Sequence, residues 1–140
     1  MHNVTFLSRA MASKHIPVSG SVLISIHDKS EPKFVPGSGW ADVLYLSFHD
    51  MDTDTLGLDM FSTGQARQVL DFAEKHQSCA QIMVHCQMGQ SRSGAVAMFL
   101  SEKYAVPCFK GTNPVSYLNY KIYNKLVYRV LHNVDNNAGY

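Results

Sequence analysis

Residues 82–100 read IMVHCQMGQSRSGAVAMFL. An apolar run ends at His85-Cys86, five small or polar residues follow, and after Arg92 a second apolar run begins. The first run is short and predicts a buried strand, QIMVH at 81–85. The second, SGAVAMFLSEKY at 93–104, is apolar nearly all round and predicts a buried helix. A buried strand that passes through one tight loop into a buried helix belongs to a layered α/β sheet, and the rest of the chain agrees. VTFL (4–7), VLISI (22–26) and DVLYLSF (42–48) read as further strands. SRAMASKH (8–15) reads as a short helix ending before Pro17. The Pro, Gly and Ser of 28–39 and the four aspartates of 49–61 mark loops.

Ser62 with Gln65 forms a capping-box pattern, and Ala66, Val69, Leu70 and Ala73 follow on one helical face. Asn113-Pro114 reads as an N-cap with proline at the first helical position. From it Val115, Leu118, Ile122, Leu126 and Val130 predict a helix to about His132, with Tyr117, Tyr120, Tyr123 and Tyr128 on it. Residues 135–140 are expected to fray. The expectation is one domain over residues 1–140, a central sheet of about four to five strands flanked by helices.

Composition bounds the function. Hydrophobic residues make up 46% of the chain and charged residues 16%, the balance of a folded globular protein. A net charge of +1 without a basic run gives no footing for nucleic acid or a membrane surface. Three irregularly spaced cysteines, Cys79, Cys86 and Cys108, are not a disulfide framework, so reduced thiols and a cytoplasmic location are expected. Cys79 and Cys108 read as packing residues, and Trp40 as an anchor beside the third strand. The histidines show no metal-ligand spacing, and no metal or cofactor is implied.

Five residues between Cys86 and Arg92 suffice for the chain to curl around a tetrahedral anion with its N–H groups inward. The following helix adds its unpaired N–H groups and the positive end of its dipole. Gly89 allows backbone geometry that a Cβ resists, and Arg92 offers a planar fork to two oxygens. Gln87, Met88, Gly89, Gln90, Ser91 and Arg92 thus form a candidate phosphate cradle. The cradle favours a thiolate at Cys86, placed for in-line attack on phosphorus, with Ser93 able to donate a hydrogen bond to the sulfur. His85 is expected on the opposite face of the strand, where it shapes the loop. Ester cleavage needs an acid for the leaving oxygen, and Asp50, Asp52, Asp54 and Asp59 are all candidates from the residues alone.

His85 to Ser93 matches the HCxxGxSRS signature of cysteine-dependent protein tyrosine phosphatases, and it looks most like the dual-specificity branch. YLSFHDMD (45–52) resembles the family segment that runs from a strand into the general-acid loop. The resemblance extends over roughly residues 20–132, with 85–93 as its one highly specific part. It implies a mostly parallel sheet, a phosphocysteine formed on Cys86, phosphate binding by Arg92, and Ser93 aiding breakdown of the intermediate. It implies Asp52 as acid and then base, with Asp50 as the alternative. The implied substrate is a phosphorylated protein, phosphotyrosine first and phosphoserine or phosphothreonine next, or a small phosphate monoester. Uncharged Gln87, Met88 and Gln90 stand where phosphoinositide-directed members tend to place lysines. Two competing readings are a rhodanese-like sulfur-transfer enzyme, whose loop lacks the Gly-x-Ser-Arg-Ser ending, and a recognition module that holds phosphate without turnover.

Overall fold

A computed structural model describes residues 1–51, 60–116 and 118–138. Strands β1 (Asn3–Ser8), β2 (Val22–His27), β3 (Asp42–Ser47) and β4 (Gln81–Cys86) are mutually parallel. Two three-residue strands, β5 (Cys108–Lys110) and β6 (Asn113–Val115), complete a six-stranded sheet in the order β3-β2-β4-β1-β5-β6. Only the β5–β6 pair is antiparallel. The helices are α1 (Arg9–Ala12), α2 (Thr63–Lys75), α3 (Arg92–Tyr104) and α4 (Lys125–Ala138). The α/β architecture with a mostly parallel, helix-flanked sheet is therefore as expected, with six strands rather than four to five.

The extra strands mark the main departure. Asn113-Pro114 is part of edge strand β6, where a proline costs the sheet no ladder bond. Tyr120 and Tyr123 precede α4 rather than lying on it, and Leu118 is 78% exposed. The cap of α4 is Asn124, whose Oδ1 accepts from the Val127 N–H at 3.1 Å. A three-to-four spacing that is continuous in sequence thus belongs to two different structures. At the other end α4 continues to Ala138, through much of the segment expected to fray.

Period-two alternation divides the strands between two cores. Val4, Phe6, Val22, Ile24, Ile26, Ile82, Val84 and Cys86 share one cluster with α2, α3 and α4. Leu7, Leu23 and Met83 face the other way, with Ala12 of α1 and Phe34, against which Trp40 packs. The second face is covered mainly by one helical turn and the 28–41 loop. Helix α3 is buried from Arg92 through Ser101, consistent with its apolar circumference. The capping box at α2 is present, with Ser62 Oγ accepting from the Gln65 N–H at 3.1 Å. Asp42, at the start of β3, lies 2.8 Å from His76 Nε2 just past α2, and this hydrogen bond holds its carboxyl below the usual range.

One glycine fixes where the loop after β4 can sit. Gly89 has φ +70°, and a Cβ there would lie 2.1 Å from Ser8 N and 2.3 Å from Leu7 C. Both atoms are backbone of β1, so the neighbour cannot give way. Gly89→Ala is expected to cost more than about 3 kcal/mol by combining a left-handed Cβ with a backbone clash. Chemical denaturation checks this, and a stability within about 1 kcal/mol of the parent would refute the close approach.

Candidate active site

Strand β4 lies between β2 and β1, so the carboxyl ends of three adjacent parallel strands open on one crevice. From β4 comes Cys86, from β1 the Ser8-Arg9 step, and from β2 the turn that begins at Asp28. The loop 87–91 joins Cys86 to the N-terminus of α3 and leans on β1, where the Arg9 N–H donates to Gln87 O at 3.3 Å. Gln87 and Met88 are exposed, Gly89 is buried, and Gln90 and Ser91 are half-buried. Tyr120 supports the loop from outside: its hydroxyl donates to Gln90 O at 3.3 Å and its ring meets Phe6 edge-on. Burial pushes the Tyr120 phenol up to about 12, so it stays a donor.

Cys86 is 2% exposed, with Sγ 3.1 Å from Ser93 Oγ. The pair that the sequence proposed for bond-making and bond-breaking is therefore in contact. His85, next along the strand, faces the other core as alternation requires. Its Nε2 lies 2.7 Å from Ser25 Oγ, and its ring packs tilted against Phe34, with the centroids 4.3 Å apart. Burial first, with the nearby Arg9, His27 and Arg92 charges, lowers its pKa to about 4. A neutral imidazole is thus fixed between β2 and Phe34 of the 28–41 loop.

Arg92 is the buried cation of the site, 4% exposed. Its Nη1 donates to Asp28 Oδ1 at 2.6 Å and to Phe48 O at 2.9 Å. Those two bonds use both Nη1 protons. Glu31 Oε1 stands 3.8 Å from Nη2, while Nε has no hydrogen-bond partner among the described residues. The Nε–Nη2 edge is thus the one left to grip an oxyanion in bidentate fashion. Asp28 and Glu31 were not singled out from sequence. Two acids in a turn at the end of a buried strand were the available signal, but Arg92 lies 64 positions beyond Asp28.

Asp50 also lies at the cradle. Its Oδ1 accepts from Ser91 Oγ at 2.7 Å and from Asn124 Nδ2 at 2.8 Å. Asn124, 1% exposed, therefore caps α4 and anchors Asp50 at once. Asp50, Met51, Met88 and Tyr123 border a cleft of about 420 Å³ beside the loop. Asp52, Asp54 and Asp59 lie outside the described residues. Cys79 and Cys108 are free and buried, and burial pushes their thiols up, that of Cys108 to about 12. Cys79 precedes β4 and Cys86 ends it, so the five strand residues 81–85 lie between them, about 16 Å of extended chain and far beyond disulfide reach. No helix of the described residues is long and apolar enough to cross a membrane.

Two outcomes follow from these contacts. Asp28→Ala is expected to leave the buried Arg92 short of a counter-charge, costing about 2–3 kcal/mol of stability and weakening tungstate binding about tenfold or more. Calorimetric titration with tungstate checks it, and an unchanged affinity would contradict the positioning by Asp28. The His85 ring is expected to stay neutral as pH falls from about 7.5 to about 5.5, read by its proton chemical shifts. Because its folded pKa lies below the unfolded value near 6.5, the unfolded chain takes up the proton first. The stability His85 contributes is full above about 6.5 and is lost as pH falls toward about 4. A ring that titrates near 6.5 in the folded protein would contradict its burial.

No protein-family model matches the chain, and no curated protein matches it. Among solved structures the chain is similar to the crystal structure of PTPMT1, over 99% of this chain and 96% of that chain, with a TM-score of 0.54 and 16% sequence identity. At that identity the likeness is one of fold: the helix-flanked, mostly parallel sheet is shared with PTPMT1.

Proposed function

We propose that this protein is a phosphatase that hydrolyses phosphate monoesters through a phosphocysteine on Cys86. The observation that carries the reading is the convergence at one strand end. Cys86 Sγ lies against Ser93 Oγ, and at the start of the same helix Arg92 keeps Nε without a hydrogen-bond partner among the described residues, with Nη2 3.8 Å from Glu31 Oε1. The phosphatase fold shared with PTPMT1 supports it.

In the proposed reaction the phosphoryl group sits in the 87–92 loop, held by backbone N–H groups and by Arg92. The Cys86 thiolate attacks phosphorus in line, the S–P bond forms as the P–O ester bond breaks, and Asp52 gives its proton to the leaving oxygen. Asp52 then removes a proton from water, which attacks phosphorus. The S–P bond breaks, and Ser93 donates a hydrogen bond to the departing thiolate. Asp50, which accepts two hydrogen bonds on one oxygen, anchors the start of the acid segment in this scheme. The substrate is proposed to be phosphotyrosine in proteins, with phosphoserine and phosphothreonine as further substrates, and the location cytoplasmic. The second reading, a module that holds phosphate without turnover, predicts oxyanion binding through Arg92 and no phosphate release.

Release of p-nitrophenol from p-nitrophenyl phosphate separates the two. Cys86→Ser is expected to abolish turnover while keeping phosphate affinity, and Asp52→Ala to lower kcat about 100-fold or more. Hydrolysis that survives Cys86→Ser would sink the mechanism. A loss of kcat on Asp50→Ala with none on Asp52→Ala would move the acid role to Asp50.

A further inference from the structure

A cleft of about 550 Å³ adjoins the cradle, and Arg9, Asp28, Glu31, Gln87 and Arg92 are among its lining residues. A second cleft of about 490 Å³ shares Arg9 and Gln87 with it and reaches Lys33 and Phe34. Arg9 therefore stands where the two meet, and its place is fixed by the bond from its N–H to Gln87 O. Its guanidinium lies 5.5 Å from the Phe34 ring centroid, over the ring, and Nη1 is buried without a hydrogen-bond partner among the described residues.

One oxygen of each nearby acid is engaged by other groups, while Glu31 Oε2 is buried without a hydrogen-bond partner among the described residues. Asp28 Oδ1 takes the Arg92 Nη1 bond, and Glu31 Oε1 accepts the Asp28 N–H at 2.9 Å beside Arg92 Nη2. The first cleft thus holds two guanidinium groups, one beside carboxylates and one over the face of a ring, its buried Nη1 without a hydrogen-bond partner among the described residues. A desolvated N–H without an acceptor is unfavourable, and an anion entering the cleft supplies the acceptor. Arg92 is occupied with the group in the cradle, so an anion read by Arg9 must be a second one.

On the reading of the 87–92 loop as a phosphate cradle, we propose that Arg9 is a specificity-determining residue. It binds a second anionic group, phosphate or carboxylate, on the molecule whose phosphate occupies the cradle. An acidic side chain beside a phosphorylated residue and a second phosphate on a small molecule offer the same chemistry.

The experiment is calorimetric titration of the Cys86→Ser protein, with and without Arg9→Gln or Arg9→Lys. The ligands are two pairs: a phosphotyrosine peptide with neutral or with glutamate flanks, and glucose 6-phosphate against glucose 1,6-bisphosphate. The second anion is expected to tighten binding about tenfold or more in at least one pair, which identifies the source. Arg9→Gln is expected to bring that ratio close to one, and Arg9→Lys to retain part of it. The ratio is internal to each protein, so a loss of folded fraction cancels. A ratio near one in both pairs for the Cys86→Ser protein, or one that survives Arg9→Gln, overturns the proposal. Turnover of p-nitrophenyl phosphate by the unaltered protein is read separately. Its absence, with the Arg9-dependent ratio intact, removes the phosphatase reading and leaves the subsite. Turnover with a ratio of one removes the subsite alone.

Discussion

Arg92 is a cation buried beneath the surface, and much of the site consists of groups that make its burial tolerable. An unpaired buried guanidinium costs several kcal/mol, so its partners cannot be incidental. They come from the ends of neighbouring strands: Asp28 just beyond β2 and the Phe48 carbonyl just beyond β3. Both bind Nη1, which leaves Nε on the opposite edge of the fork without a hydrogen-bond partner among the described residues. Those two bonds hold the guanidinium in one orientation. Preorganisation of this kind removes the reorganisation that an exposed side chain would undergo on binding.

The strand order makes that arrangement possible. With β4 central, Cys86 has β2 on one side and β1 on the other. From β2 comes the carboxylate that holds Arg92. From β1 comes the backbone against which Gly89 closes, so tightly that no Cβ fits. Alternation along β4 then separates two tasks between consecutive residues. Cys86 faces the α2–α4 side and meets Ser93, while His85 faces the other core as a neutral ring bonded to Ser25. The loop is held by strand β1, by helix α3 and by the Tyr120 hydroxyl.

Much of this was legible in the sequence because it is local. A strand, five residues and a buried helix are readable from apolar runs, and the capping box at Ser62 from two residue types at fixed spacing. The spacing of Cys86, Gly89, Arg92 and Ser93 led to the cradle because each supplies a property the chemistry needs. What escaped is non-local. Asp28, Asn124 and Arg9 owe their significance to partners brought near by the sheet, and no periodicity announces that. Asn113-Pro114 misled for a physical reason: the same pair suits a helix start and an edge strand, and only packing decides. The proposed acid Asp52 lies outside the described residues, whereas Asp50, the alternative, sits against Ser91.

The proposed mechanism requires the thiolate at the end of β4 to take the phosphoryl group. Rapid acid quench of the protein during turnover of an aryl phosphate, followed by peptide mass spectrometry, tests it most directly. The mass of one phosphoryl group is expected on the peptide carrying Cys86, and none in Cys86→Ser. Steady turnover with no adduct at Cys86, or an adduct on another residue, would contradict it.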